Sequence, residues 1–236
     1  MTRSLDLNRG YILVRIDGKG FTKFTKPYRK NGAYGVYSIE IQRAMLDTAL
    51  GLVKSVDGAV GAYTVSDEIS LLIEDRGQDT WYAGRHDKIV SLTAAYATAY
   101  FNRAVQRFIG YEDKIAVFDA RIVDLDEEML SPREYFLDRR TRGISNAIGS
   151  YAVQLIGHKH ILGVPTHKRL EMLELKAVHV SKSLRYGYLV YKKEYTTSIE
   201  YVHKKTGIKN VVPNVQRSRW VTIMFEDEDS LNLVVE

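Results

Sequence analysis

Cysteine is missing from all 236 residues, which removes disulfides, thiolate zinc sites and a thiol nucleophile from consideration. No apolar run approaches the roughly 18 residues of a membrane span. The opening Met1-Thr2-Arg3-Ser4-Leu5-Asp6-Leu7-Asn8 lacks the apolar core of a signal peptide; the expectation is a soluble, cytoplasmic protein with no membrane partner. Internal repeats, low-complexity linkers and long disordered tails are also absent from the pattern. The six histidines, at positions 86, 158, 160, 167, 179 and 203, form no His-Glu-x-x-His or other zinc spacing, and His158 with His160 reads as a polar helix-end pair. Gly18-Lys19-Gly20 lacks the spacing of a P-loop, and no GxGxxG fingerprint follows a strand. A Gly-x-Ser-x-Gly nucleophile elbow is absent too. Of the chemistries weighed, phosphoryl transfer on metal ions remains.

What is present is an alternation of short apolar runs and helical stripes. With 45% hydrophobic residues, the chain can build one large or two small cored units. Tyr11-Ile12-Leu13-Val14 reads as a buried strand ending at Asp17-Gly18. Met45, Leu46, Ala49, Leu50, Val53 and Val56 recur at helical spacing. The runs Ala59 to Val65 and Ile69 to Ile73 flank Ser66-Asp67-Glu68 as a hairpin with acids at its tip. A second helix spans Arg85 to Phe108, with Ile89, Leu92, Tyr96, Tyr100, Val105 and Phe108 on or near one stripe. Ile115 to Leu125 reads as a fourth strand. The order β-α-β-β-α-β is the split ferredoxin-like pattern, an α+β fold. In that topology the first strand is central and antiparallel to the third, so Asp17 and Asp67 converge.

Bare carboxylates at close range repel and raise one another's pKa, so their convergence calls for a partner. Mg²⁺ prefers a few carboxylates with water and substrate phosphates, and two such ions clamp the attacking and leaving oxygens of phosphoryl transfer. Lys19 and Lys88 could meet a triphosphate tail, and Gly18 and Gly20 permit close backbone approach to a ligand. Each feature has a plainer reading: an Asp-Gly turn, a solvated hairpin tip, a solvated helix lysine. Convergence favours the metal site.

Charge is uneven. Residues 181–220 carry nine Lys or Arg against Glu194 and Glu200, interleaved with Tyr186, Tyr188, Tyr191, Tyr195 and Tyr201. That mixture suits phosphate contacts and stacking on unpaired bases; a basic β-hairpin with half-buried tyrosines is the equal alternative. Ser131-Pro132-Arg133-Glu134 is a capping box with proline at the first helical position, opening a helix to about Ile156. Another helix, roughly Thr166 to Leu175, follows Gly163-Val164-Pro165. The expected organisation is a catalytic core over 1–130 and a helical, basic β-rich region over 131–236, packed as one unit.

Four stretches together carry a family resemblance: Val14-Arg15-Ile16-Asp17-Gly18-Lys19-Gly20-Phe21, Tyr63-Thr64-Val65-Ser66-Asp67-Glu68-Ile69-Ser70, Lys88-Ile89-Val90-Ser91 and Phe118-Asp119-Ala120-Arg121. The chain resembles the tRNA(His) guanylyltransferase family and its bacterial, archaeal and phage-type relatives over about residues 11–173. The resemblance implies a polymerase-like palm that extends RNA at its 5′ end, in the 3′-to-5′ direction. It implies two Mg²⁺ ions held by Asp17, Asp67 and the Gly18 carbonyl, with Glu68 as a further catalytic acid beside them. It also implies GTP, ATP or other nucleoside triphosphates surrounded by Asp17, Gly18, Lys19, Gly20, Phe21, Thr22, Ser66 and Asp67. Lys88 and Ser91 fall where the family's phosphate-binding helix begins; Arg139 and Asn146 fall on its helix for the activating nucleotide or RNA end. tRNA as partner and a homotetramer are likewise implied.

The second half departs from the family pattern. Asp138-Arg139-Arg140-Thr141-Arg142 stands where relatives show Trp-Arg-Gln and an acid, and Gly163-Val164-Pro165-Thr166 where many show a Gly-Lys-Ser-Thr-like stretch. The histidine-asparagine motif of the eukaryotic enzymes is not seen near Gly143-Ile144-Ser145-Asn146. Templated repair of truncated tRNA 5′ ends is therefore expected ahead of single guanylate addition to tRNA(His). Two alternatives stay open: a palm-type nucleotide cyclase, although its Gly-Gly-Asp-Glu-Phe hairpin is not seen, and a catalytically reduced module that binds tRNA or nucleotide without turnover.

Overall fold

A computed structural model of the chain describes residues 10–28, 38–110, 114–125, 131–202 and 204–235. His203 and the opening segment read for a signal core lie outside them. Six strands, β1 (Tyr11–Lys19), β2 (Ala59–Val65), β3 (Glu68–Glu74), β4 (Val117–Val123), β5 (Tyr188–Val202) and β6 (Lys209–Met224), form one antiparallel sheet in the order β4-β1-β3-β2-β5-β6. The first four have the ferredoxin-like arrangement expected from the sequence. β1 runs two residues past Asp17 because β4 continues to pair with it, Gly18 opposite Phe118 and Lys19 opposite Val117. β4 in turn starts later than the apolar run at Ile115. The Asn102 side chain takes both backbone groups of Ala116, donating to its carbonyl at 2.8 Å and accepting its N–H at 2.9 Å.

Both faces of β1 are covered, which explains its unbroken apolar run. On one face Ile12, Val14 and Ile16 pack with α2 (Ile39–Ser55) and α3 (His86–Phe108) around a cluster of Phe21, Phe24, Phe101 and Phe118. On the other, Leu13, Tyr63, Leu72 and Leu189 meet Phe136 and Phe225. Phe21 and Phe24 belong to a five-residue helix, α1 (Phe21–Thr25), that the strand-to-turn reading did not anticipate.

α4 (Pro132–Leu155) lies against the second face. Its capping box is present as expected: Glu134 N–H donates to Ser131 Oγ at 3.3 Å, and Ser131 N–H to Glu134 Oε2 at 2.8 Å. The distal half of α4 forms a third cluster, with Ile148 and Tyr151 against Ile161, Leu173, Val178 and Val180. This brings in α5 (His158–Ile161), α6 (Thr166–Glu174) and the segment leading to α7 (Lys182–Tyr186). β5 and β6 are a long ribbon joined to the sheet through β2, and α8 (Asp229–Val235) follows. Among the described residues no helix is long and apolar enough to cross a membrane.

Candidate active site

Antiparallel register decides which side chains meet, because directly paired residues share a face of the sheet. Asp17 pairs with Glu68 of β3 on one side and with Asp119 of β4 on the other. One row across three strands therefore reads Asp119, Asp17, Glu68. The next row on the same face reads Arg121, Arg15, Ser70. Asp67 sits at the end of the acidic row in the Ser66-Asp67 turn joining β2 to β3; its carbonyl accepts the Gly18 N–H at 3.0 Å. Its carboxylate accepts the Ser66 hydroxyl at 3.0 Å. Ser66 holds φ 56, a left-handed conformation costly for a residue with a side chain. Gly18 is required sterically, since a Cβ there would lie 2.3 Å from the Phe21 ring.

The acids act on one another. Burial pushes the Asp17 carboxyl up to about 6, and Asp67, Glu68 and Asp119 push the same way against the opposing Arg15. Such a site gains by holding a cation. Its donors are carboxylate and carbonyl oxygens, the set a hard divalent ion prefers. Among the described residues no group of three or more histidine, aspartate or glutamate side chains is arranged to hold a metal ion by itself.

Beside Asp67 opens a cleft of about 610 Å³, within the range of small-molecule sites. Phe21, Thr22 and Thr25 of α1 form one side, and Ser38, Ile41 and Gln42 at the start of α2 another. The long wall is α4, through Gly143, Asn146, Ala147, Ser150 and Gln154. Arg169 of α6 also borders it, fixed by an Nε–H bond to the Val164 carbonyl at 2.6 Å. Ser145 and Thr166 are linked at 3.1 Å between α4 and α6.

The structure thus gathers Phe21, Thr22, Ser66, Asp67 and Asn146 around one cleft, with Gly18 bonded to Asp67 at its edge and Asp17 next to Gly18 in the chain. Phe21 has a double part, as its ring is also buried in the aromatic cluster. Lys19 is exposed at the end of β1, and Gly20 caps α1 at φ 63. Lys88 and Ser91 stand exposed at the start of α3, outside the cleft lining, with Ser91 Oγ donating to the Lys88 carbonyl at 3.1 Å. Glu68 and Arg139 also lie outside it, bound to each other. Sequence reasoning held Asp119 only within the Phe118-Asp119-Ala120-Arg121 stretch and gave it no role in the site; the β1–β4 register sets it beside Asp17. Of the α4 wall it named Asn146 alone as a site residue, although small and polar residues recur at three- and four-residue spacing from Gly143 to Gln154.

The profile of the tRNA(His) guanylyltransferase family matches residues 3–126. The chain belongs to this family. Among its relatives, an uncharacterised protein of Acanthamoeba polyphaga mimivirus is 25% identical over 193 residues, covering 70% of this chain and 63% of that protein. The tRNA(His) guanylyltransferase of Debaryomyces hansenii is 29% identical over 119 residues, 48% of this chain and 42% of that enzyme. The matches thus span less than two thirds of either curated relative. A bacterial tRNA(His) guanylyltransferase-like protein in complex with ATP superposes with a TM-score of 0.68 at 25% identity, covering 94% of this chain and 86% of that one. The Saccharomyces cerevisiae tRNA(His) guanylyltransferase superposes with a TM-score of 0.63 at 22% identity, over 77% of this chain and 85% of its own, and shows the shared palm-type fold.

Proposed function

We propose that this chain is a Mg²⁺-dependent nucleotidyltransferase that adds nucleotides to the 5′ end of tRNA in the 3′-to-5′ direction, repairing truncated ends. The observation that carries the reading is the Asp17–Asp67 pair, tied through the Gly18 N–H at the edge of a nucleotide-sized cleft. Family membership and the resemblance to an ATP-bound bacterial relative support it.

Asp17, Asp67 and the Gly18 carbonyl are the groups that would hold the metal. Bound Mg²⁺ supplies Lewis-acid polarisation of phosphoryl oxygens and lowers the pKa of an attacking hydroxyl. Phe21, Thr22, Ser66 and Asn146 enclose the nucleotide, while Lys19, Lys88 and Ser91 are assigned to phosphates. A 5′-monophosphate RNA end attacks the α-phosphorus of ATP or GTP, releasing pyrophosphate and leaving a 5′-nucleotidyl cap. The 3′-hydroxyl of an incoming nucleotide then attacks the phosphorus bonded to the RNA's 5′ oxygen, losing its proton to solvent, forming the new ester and expelling the nucleoside monophosphate. A 5′-triphosphate end enters at this second step and expels pyrophosphate. Orientation and electrostatics carry such transfers. The homotetramer that the family resemblance implies is part of the same proposal.

The test is incubation with Mg²⁺, labelled nucleoside triphosphates and tRNA transcripts lacking their first nucleotide, bearing a 5′-monophosphate or a 5′-triphosphate. Growth at the 5′ end supports the reading, and growth from triphosphate ends alone confines the chain to the second step. Retained tRNA binding with no extension of either RNA would overturn it in favour of a binding module.

A further inference from the structure

Glu68 follows Asp67 directly and lies beside Asp17, the position of a third catalytic carboxylate. Its surroundings give it a different task. The side chain is 7% exposed and enclosed by two guanidinium groups. Arg139 makes a fork, with Nε donating to Oε1 at 2.7 Å and a terminal nitrogen to Oε2. Arg15 adds a contact to the same Oε2 at 2.7 Å. Burial works against the Arg139 charge, yet the Glu68 bonds hold its pKa above the ordinary guanidinium value. A carboxylate so engaged, in a planar two-point pairing of the strong kind, has little left to offer a metal ion or a proton.

The fork's place on α4 shows what it governs. Gly143 follows Arg139 by four residues, Asn146 and Ala147 follow Gly143 by three and four, and Ser150 follows them by four and three, so all five share a helix face; the last four line the cleft. One turn beyond the fork, Gly143 meets Val65 so closely that a Cβ would stand 2.7 Å from a Val65 methyl. Val65 and Glu68 are the paired residues closing the turn that presents Asp67. The fork and the glycine contact together fix the rotation and distance of the cleft wall relative to that acid.

We propose that Glu68 is a positioning residue. Through Arg139 it locks the α4 wall of the cleft to the Asp17–Asp67 turn, with Arg15 balancing its second oxygen. The inference rests on the nucleotide reading of the cleft. It assigns Arg139 to the fork instead of to the nucleotide or RNA end.

The experiment measures ATP and GTP affinity by calorimetry without RNA, and Mn²⁺ affinity by electron paramagnetic resonance, at a temperature where circular dichroism shows each variant folded. Glu68→Gln and Arg139→Gln are each expected to weaken nucleotide binding about tenfold while Mn²⁺ affinity stays within about twofold. The double variant, with two neutral amides facing each other, should recover much of that loss, because paired groups give non-additive effects. Arg139→Lys, which keeps the charge and loses the fork, carries the same test in milder form if Glu68→Gln does not fold. Loss of Mn²⁺ affinity in Glu68→Gln, as deep as in Asp67→Asn, would overturn the proposal and make Glu68 a metal ligand. Unchanged nucleotide affinity in folded Glu68→Gln and Arg139→Lys would overturn it in favour of a purely structural pair. If the unaltered protein binds neither nucleotide, the reading of the cleft fails and this inference fails with it.

Discussion

Asp17 is the side chain on which folding and chemistry conflict. Its carboxyl titrates near 6 in the fold because it is half-buried among like charges, against about 3.9 in an unfolded chain. The folded state therefore binds more protons between these values, and linkage makes stability fall as pH rises through that window. The metal-free Asp17→Asn protein should melt with the unaltered protein at pH 4 and above it from pH 6 upward, as followed by circular dichroism. Added Mg²⁺ should narrow the gap at pH 7 by stabilising only the protein that retains Asp17. Asp17 and Asp67 were legible in the sequence because each follows an apolar run directly, although Asp17 lies within β1 and only Asp67 in a turn. Asp119 was not, because its place beside Asp17 depends on pairing across about a hundred residues of chain. The engagement of Glu68 was equally hidden, since its partner Arg139 lies 71 residues further on.

Among the elements, α4 shows best what local chemistry can and cannot announce. The capping box at Ser131 and Glu134 marked its start correctly, because a cap is made by neighbours in sequence. Ser131→Ala should cost about 1 kcal/mol of stability, seen as a lower melting temperature with unchanged nucleotide affinity. Phe136, fully buried with its ring edge-on to Tyr63 at 6.3 Å, should cost about 3–5 kcal/mol when cut to alanine, by chemical denaturation. The helix's second role, as a wall of small residues, was written in the same sequence. Apolar periodicity does not mark that role, because a cleft lining is neither core nor solvent face. β1 and β4 show the complementary limit. Their ends depend on the partner strand and on the Asn102 side chain, neither of which an apolar run encodes.

The basic ribbon acquires its meaning only from the assembled sheet. β5 joins β2 from Tyr188, opposite Thr64, to Tyr191, opposite Gly61, and so runs away from the Asp67 end. Residues 192–202 continue past that contact, paired with β6, for about 35 Å at strand rise. Tyr191 is buried in the core, whereas Tyr195 and Tyr201 are exposed, so the interleaved tyrosines divide between the two roles weighed from sequence. Lys193, Arg219 and Arg217 fall on one ribbon face with Tyr195. On the tRNA reading this face grips the RNA body at a distance from its 5′ end. Replacing the three cations by glutamine should flatten the salt dependence of tRNA binding by about 2–3 in log–log slope, with nucleotide affinity unchanged in calorimetry. The most direct measurement is single-turnover extension of a 5′-triphosphate tRNA lacking its first nucleotide, by the unaltered protein and by Asp67→Asn, with the added nucleotide mapped to one end of the product. Addition at the 5′ end, slowed about a thousandfold or more in Asp67→Asn with tRNA binding retained, is the predicted result. Addition at the 3′ end, or equal rates for the two proteins, would contradict the assignment of the acid pair to 5′-end chemistry.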